Sequence, residues 1–406
     1  MKNIVILGAG FGGLKAAQTI AKKIKWARLA ERYPVILIDK NEYQTYTPSL
    51  YEIATTAKEN ANYIALKSIA TLPLTKGMGR LPINFIKAEV VSLDVLGGTL
   101  QIKSNNGDTN ETIPFAYLVL ALGSVTNDLN IPGVKENALY LKTFIDAVTV
   151  RDVVLKALDE KEQLEVVIGG AGSTGVELAG ELQEWTSGHD AKITLVDAAP
   201  SILSSMHPRA IKKAEKRLRK LNIELILGER VVEVTGSQIA LESGRKLPYR
   251  VFIWAGGIKV PDVIGHDLQC FPPAPDLRLK GGVYGIGDSV CFYNPRTGKA
   301  SPAVARAAIT QGRLAAQNIF EDIKCAEGLQ KEPRHRTYKP HEYPYVIPIG
   351  GMWAVAKVGR LVFAGFSGWV FKMVIELFYF LSVMPFWFSL KTWLKAVRIF
   401  IRNDSR

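Results

Sequence analysis

Cysteine is scarce. Cys270, Cys291 and Cys325 are the only three in 406 residues, and none lies within a few positions of another. No CxxC centre and no zinc spacing can be built from them, and the low count points to a reducing compartment with buried or idle thiols. Long uncharged runs are lacking too. The longest in the C-terminal tail, Leu377 to Leu390, has 14 residues with Pro385 inside, short of the ~20 that a spanning helix needs. At the other end the apolar run is only Ile4 to Leu7 before glycines begin. That is too short for a signal-peptide core and is expected as the first buried strand. No basic module with interleaved aromatics is present, which argues against a nucleic-acid partner. What remains is a globular balance, 48% hydrophobic and 22% charged, with a net charge of +13. Such a charge suits a membrane surface or anionic cofactors.

Glycine supplies the strongest pattern. "GAGFGG" follows the Ile4–Leu7 run and opens a helix pattern, and "PVILIDK" follows as a second strand. "YLVLALGS" (117–124) reads as one buried parallel strand. The pattern then repeats: "LEVVIGGAGSTGVELAGELQEW", then "AKITLVDAA". Each GxGxxG, Gly8, Gly10, Gly13 and Gly170, Gly172, Gly175, has a strand before it and a helix after it. This is the arrangement that sets a pyrophosphate on free helix amides. Each is followed by a strand ending in an acid, Asp39 and Asp197, able to accept from a ribose diol. The 26-residue interval from Gly13 to Asp39 is wider than usual and calls for a lengthened helix and loop in "KIKWARLAERY". A carboxylate at Asp197 opposes a 2′-phosphate and favours NADH over NADPH. Further on, "RVFIWAGGI" and "GGVYGIGDS" read as strands, and Ser301 to Phe320 as a helix capped by Ser301 with Pro302 first. Residues 326–345 read as a polar linker, followed by short strands near Met352–Ala356 and Leu361–Ala364.

With "GAGFGG", "ALGS", "GGAGSTGVELAGEL", "WAGG" and "GIGD" in this order, the chain resembles the flavoproteins with two dinucleotide-binding domains. Within them it is similar to the type II NADH dehydrogenases, the single-subunit NADH:quinone oxidoreductases of membranes. The resemblance spans nearly the whole chain and is closest in "KNEYQTYTPSLYEIAT", "STGVELAGEL" and the strand-then-two-helix ending. It implies an α/β fold of two Rossmann-like domains. The FAD domain is expected at 1–140 with 266–330, the NADH domain at 141–265, and strands with membrane-anchoring amphipathic helices at 331–406. FAD and NADH are the implied cofactors. A quinone, menaquinone or ubiquinone, is the implied acceptor, reduced without proton pumping. The implied location is the cytoplasmic face of the inner membrane, with a homodimer left open.

The resemblance also implies residue roles. Gly8, Ala9, Gly10, Phe11, Gly12, Gly13, Asp39 and Lys40 would hold the ADP half of FAD, with Val90 touching adenine through its backbone at a strand entry. Thr47 and Pro48 would lie beside the flavin, and Ala121, Gly123, Gly287, Asp288 and Ala305 would complete its site. Gly170, Gly172, Gly175 and Asp197 would hold NADH. Glu177 would sit near the reacting rings, and Trp254, Ala255 and Gly256 would line the nicotinamide pocket. Read from the residues alone, Asp288 also fits a turn, Glu177 a first-turn acid matched to the helix dipole, Trp254 a core position and Thr47–Pro48 an ordinary loop. No cysteine stands at Tyr43–Glu52, where related disulphide reductases carry a redox pair, so electrons are expected to leave the flavin directly. One departure is clear. Aligned on Gln311–Gly312, the chain has Ala305–Arg306 where the family carries Ala-Gln on the quinone side. Arg306 and Lys372, with Glu376 one turn on, are the acceptor-side candidates. A reductase of a ferredoxin-like carrier and a low-turnover NADH-sensing membrane flavoprotein are the alternative readings.

The tail is expected as two helices parted at Pro385. In the second, Lys391, Lys395, Arg398 and Arg402 form one stripe and Leu390, Trp393, Leu394, Val397 and Ile401 the other, which suits a helix lying in a membrane interface. Packing on the body, or a dimer contact, is the competing expectation. Because the cofactor motifs all lie upstream of Gly368, the tail is expected to be dispensable for hydride transfer.

Overall fold

The computed structural model describes residues 2–104, 110–160, 162–265, 273–293, 298, 304–340 and 342–404. Cys270, Ser301, Pro302 and His341 lie outside them. The chain divides into two compact units. The first comprises 1–44, 72–125 and 259–343, and the second 45–71, 126–258 and 344–406. Each unit is discontinuous. The stretch 45–71 and the C-terminal region group with the second glycine motif, whereas the sequence placed 45–71 with the first.

In the first unit the opening strand Ile4–Leu7 is fully buried and central. It pairs in parallel with Val35–Asp39 on one side and Tyr117–Leu120 on the other. Val283–Gly285 and Ile83–Asp94 extend the parallel core outward, and antiparallel strands finish both edges of the eight-stranded sheet. A continuous apolar run suits the centre of a parallel sheet covered on both faces. The helix Phe11–Trp26 takes in the first four residues of the predicted extension and turns over 27–33 supply the rest, which together account for the wide Gly13–Asp39 interval. It packs on the long helix Ala305–Ala326. The start expected at Ser301 and Pro302 lies outside the described residues, among which the helix runs from Ala305. Val90 is not at a strand entry: it lies well inside Ile83–Asp94, where it pairs antiparallel with Ile102. The polar stretch after Ala326 is irregular but pinned. Asn318, fully buried, donates to the carbonyl of Arg336 and accepts from its amide. His335 bridges Asp276 and Asp322.

The second unit holds a four-stranded parallel sheet in the order Glu224–Leu227, Ala191–Asp197, Leu164–Gly169, Val251–Trp254. It also holds a three-stranded antiparallel sheet, Tyr345–Pro348, Ala354–Val358 and Leu361–Gly365, the first of which the sequence reading missed. Alternation along these strands decides where the tail goes. Ile347 and Val355 join the main core with Leu178 and Ala179 of helix Ser173–Trp185. Ala354 points to the other face and packs on Trp369 and Met373 of the first tail helix, Phe366–Val383. Gly368 allows the approach: a Cβ there would meet the Ala354 carbonyl oxygen at 2.2 Å.

The chain breaks at Met384–Pro385, and the second tail helix is Phe386–Asp404. Its inward face differs from the expected one. Ser389, Thr392, Ala396, Ile399 and Phe400 are buried, whereas Leu394 and Ile401 are exposed. Ser389 reads as polar, yet its hydroxyl donates to the Pro385 carbonyl within the helix, so it buries at little cost. The basic stripe is split as well, since Lys395 donates to the Ser68 hydroxyl. Asn403 closes the contact, accepting from the Ala57 amide and the Asn60 side chain and donating to the Thr55 carbonyl. Ala396, Ile399 and Phe400 belong to the same core as the nucleotide sheet. Removing the tail strips a wall from that core. Phe400→Ala should destabilise the second unit by about 3–5 kcal/mol in denaturant titration, and truncation before Gly368 should abolish its cooperative unfolding. A truncated chain that still unfolds cooperatively at the wild-type midpoint would refute this packing.

Candidate active site

Both glycine turns are built by the same physics. Gly8 has φ +96°, and a Cβ there would lie 2.3 Å from the Ala121 carbonyl oxygen; Gly170 has φ +109°, with Ala255 at 2.6 Å. Only glycine fits either place. The third glycines, Gly13 and Gly175, let helix and strand touch: a Cβ would meet the oxygen of Gly8 at 1.8 Å and of Gly170 at 1.9 Å. At the middle glycines, Gly10 and Gly172, a Cβ would meet nothing within 4 Å. That open side, in front of the free amides of Phe11–Trp26 and Ser173–Trp185, is where a diphosphate can approach.

The strand-end acids brace the turns. Asp39 accepts from the amides of Ala9 at 2.7 Å and Asn41 at 2.8 Å. Asp197 accepts from Ala171 at 2.5 Å and Ala199 at 2.7 Å. Burial raises the Asp39 carboxyl above its ordinary value, against the opposing pull of the two amide bonds. Each oxygen keeps accepting capacity for a ribose hydroxyl. Lys40 is exposed next to Asp39.

The remaining predicted residues of the first unit gather at the same end of its sheet. Asp288 accepts from the Ser124 hydroxyl at 3.1 Å. The Gly123 amide donates to Ser289 Oγ at 2.8 Å, and the Gly287 amide to Gln311 Oε1 at 2.7 Å. These bonds hold the "GD" turn to "ALGS" and to the long helix, a link the sequence did not expose. Ala305 opens that helix half-buried, and Arg306 follows it exposed. Thr47 and Pro48 form an exposed single turn, Thr47–Ser49, in the second unit.

In the second unit Trp254 is a core residue. It is 5% exposed, its indole N–H donates to the Asn127 carbonyl at 2.7 Å, and its ring packs in the cluster of Val167, Val196 and Phe252. The ring lies against Gly169 and Gly256, so it backs the second turn from the core side. Ala255 and Gly256 lie beyond it, facing the Gly170 turn.

Lys372 is also placed otherwise than expected. Only 3% exposed, it donates to Glu52 Oε1 at 2.5 Å, lies 3.4 Å from Glu376 Oε1, and sits over the rings of Tyr51 and Phe400. Glu376 was foreseen as its partner; Glu52 was not. A charge inside the apolar stretch "LYEIA" was the available signal. Burial works against the Lys372 ammonium, but Glu376 and Glu52 outweigh it and hold its proton more tightly than usual. Glu177, half-buried on the second turn of its helix, is raised from 4.5 to about 8 by burial; Lys372 pulls it back and Glu52 pushes it further up. Burial and Glu52 thus both favour its neutral form.

A family model described as pyridine nucleotide-disulphide oxidoreductase matches residues 2–312. The chain belongs to that family. Among curated relatives, the type II NADH:quinone oxidoreductase Ndh of Mycobacterium tuberculosis is 27% identical over 96% of this chain and 87% of its own length. The type II NADH:quinone oxidoreductase of Staphylococcus aureus is 26% identical over 78% and 82%. Among solved structures, NDH2 from Plasmodium falciparum in complex with NADH superposes with a TM-score of 0.81, at 18% identity over 98% of each chain. The sulfide:quinone oxidoreductase of Aquifex aeolicus gives 0.77, at 16% identity over 94% and 91%. The structural likenesses establish the shared fold of this family member, with its two dinucleotide cradles.

The raised Glu177 makes a stability prediction. The folded state binds a proton there that the unfolded chain releases near 4.5, so its contribution is full below 4.5 and is lost as pH rises to about 8. Glu177→Gln should flatten the wild-type loss of unfolding free energy across that window. Parallel curves for the two proteins would show that Glu177 titrates as in the unfolded chain.

Proposed function

We propose that this chain is a flavin-dependent NADH:quinone oxidoreductase of the type II class, working without proton pumping at a membrane surface. The pair of tandem dinucleotide cradles carries this reading, supported by the printed activities of the curated relatives. The first cradle, with Asp39 and the Asp288 turn, holds FAD. The second, with Asp197, holds NADH. Bound there, FAD would supply the chemistry of hydride uptake from NADH and two-electron delivery to the acceptor. The chain's own part is to bind and orient. The helix amides of each cradle meet the diphosphates, and Asp197 selects the unphosphorylated ribose. Glu177, its neutral form favoured by burial, limits repulsion toward the anionic nucleotide. Arg306, exposed on the first turn of its helix, supplies a cation toward an acceptor oxygen that gains negative charge.

Menaquinone or ubiquinone fits as acceptor because the tail offers a lipid-facing surface. Phe366, Val370, Val374 and Phe378 recur every four residues along the first tail helix and are exposed. Phe386, Trp387, Leu394 and Ile401 continue the exposed apolar surface onto the second, beside exposed Lys391, Arg398 and Arg402. This combination suits the interface of an anionic bilayer, and we place the protein on the cytoplasmic face. Phe366–Val383 is also the one helix among the described residues long and apolar enough, by length and composition, to cross a membrane. Its Lys372 and Glu376 are buried in the protein instead, which favours a helix that lies along the surface.

Stopped-flow kinetics test the chemistry. NADH should reduce the bound flavin rapidly, and menadione or ubiquinone-1 should reoxidise it. Arg306→Ala should slow reoxidation by roughly 10- to 1000-fold while leaving the NADH phase nearly unchanged. Reoxidation by ferredoxin but by no quinone would overturn the assignment. The membrane reading has its own test in a triple Phe378→Ser, Trp387→Ser, Leu394→Ser variant, which alters only exposed side chains. It should stay folded yet leave anionic vesicles in co-sedimentation; retention equal to wild type would remove the tail surface from the interface.

A further inference from the structure

The helix Pro208–Lys220 of the second unit carries charge that its own packing does not use. Ala210, Ala214 and Leu218 face the core. Arg217 turns inward, donating to the carbonyls of Ile349 at 3.0 Å and Gly350 at 2.9 Å and to Glu184 Oε1 at 2.6 Å. The outer face holds Arg209, Lys212, Lys213, Lys216, Arg219 and Lys220, all exposed. The one acid of this helix, Glu215, is taken by Arg219 at 2.7 Å. Among the described residues the other five cations form no ion pair. The arrangement weakens the helix. Its first turn holds no acid to match the dipole and an arginine that opposes it. Arg209 with Lys213, Lys212 with Lys216, and Lys216 with Lys220 are like charges one turn apart.

Placement gives this charge a use. The strands Leu164–Gly169 and Ala191–Asp197 are parallel, so the Gly170 turn and Asp197 lie at one end of the sheet. From Asp197 the chain stays at that end. The Ala199 amide donates to Asp197 Oδ1 at 2.7 Å, and the Leu203 amide donates to the carbonyl of Ala171 in the glycine turn at 2.8 Å. The His207 ring then caps the helix, accepting from the Arg209 amide at 3.2 Å. The next strand, Glu224–Leu227, is again parallel to Ala191–Asp197, so the helix must carry the chain back along the sheet. Its cationic face therefore begins beside the second cradle and recedes from it, rising about 16 Å from Arg209 to Lys220.

We propose that this face is an electrostatic guide for the second cradle, drawing an anionic dinucleotide to its mouth and speeding capture, with Arg209, Lys212 and Lys213 carrying most of the effect. The guide presupposes that this cradle is the NADH site, as proposed for the chain's function. Cations beside a cleft act on the encounter more than on the bound state, so none of the three has to touch the ligand. Salt limits their reach to ~10 Å at about 0.1 M, which is why the near end of the helix outweighs the far end.

Two charge-matched triple variants of the holoenzyme test it: Arg209→Gln, Lys212→Gln, Lys213→Gln at the near end, and Lys216→Gln, Arg219→Gln, Lys220→Gln at the far end. Capture is read by stopped-flow as the second-order rate of flavin reduction at limiting NADH. At about 0.1 M salt the near variant should be roughly 10-fold slower than wild type and the far variant less than about 2-fold slower. The rate at saturating NADH should match wild type in both, which also reports an intact fold. At about 1 M salt, where the reach falls to ~3 Å, the three proteins should converge. ADP-ribose bears the diphosphate without the hydride, and its calorimetric binding should weaken in the near variant with the same salt dependence. Reduced nicotinamide riboside bears the hydride without the diphosphate and should reduce all three proteins equally. Equal slowing by both variants would mean that only net charge matters. Slowing that persists at high salt, or with the uncharged donor, would mean a direct contact or a damaged fold. Either result overturns the guide. A wild type that binds ADP-ribose but is not reduced by NADH fails the oxidoreductase reading, while the ADP-ribose titrations still decide the guide; one that binds neither overturns both.

Discussion

An ammonium group cannot remain in a protein interior without a carboxylate against it. Lys372 meets that requirement by drawing together three segments far apart in the chain: the short helix after Thr47–Ser49, the nucleotide helix bearing Glu177, and the first tail helix. Once Glu52 and Lys372 are in contact, the tail cannot slide along the body. Trp369 and Met373 then fall on Ala354, and Phe400 of the second tail helix closes over the ammonium. The pair is no great source of stability in itself, because desolvation offsets much of its attraction. Its value is registration, since any other alignment of the tail leaves a charge buried and unmatched.

The nucleotide turns rest on a different constraint, met twice by one solution. A strand must reverse into a helix within a few residues and leave its amides free. Glycines at the turn allow it, and an aspartate from the next strand ties the turn down by accepting an amide hydrogen bond. Asp39 and Asp197 therefore brace their turns before any ribose arrives, so the sites are largely formed in advance. Pre-formed donors lower the ordering cost of binding a flexible dinucleotide.

Much of this could be read from the residues. Both glycine motifs, their strands and the acids after them came from local spacing, where sequence and geometry are tightly coupled. The break at Pro385 came from a backbone rule that context rarely overrides. What the residues hid were features decided by distant neighbours. Ser389 and Thr392, which belong to neither stripe read from the sequence, are buried, and the Ser389 hydroxyl is satisfied by the nearby Pro385 carbonyl. The anchor of the Trp254 indole, the Asn127 carbonyl, lies 127 positions away in the chain. Glu52 lies 320 positions from Lys372, and no periodicity links them. The strand Tyr345–Pro348, short and flanked by prolines, carried too few residues to show its alternation.

One packing detail bears on how such a chain can drift over time. Where the helices Phe11–Trp26 and Ala305–Ala326 cross, glycine faces backbone from both sides: a Cβ on Gly312 would meet the Gly12 oxygen at 2.2 Å, and one on Gly12 would meet the Ala308 oxygen at 3.0 Å. Neither position can gain even a methyl group unless the helices separate, and a change at one cannot be rescued by a change at the other, since both are already at the smallest residue. The two sites are thus frozen together, in a lineage or in a design library. The same crossing carries Gln311, which holds the Gly287 amide, so parting the helices would also loosen the turn that bears Asp288. Variation along this helix enters more freely at exposed positions such as Arg306.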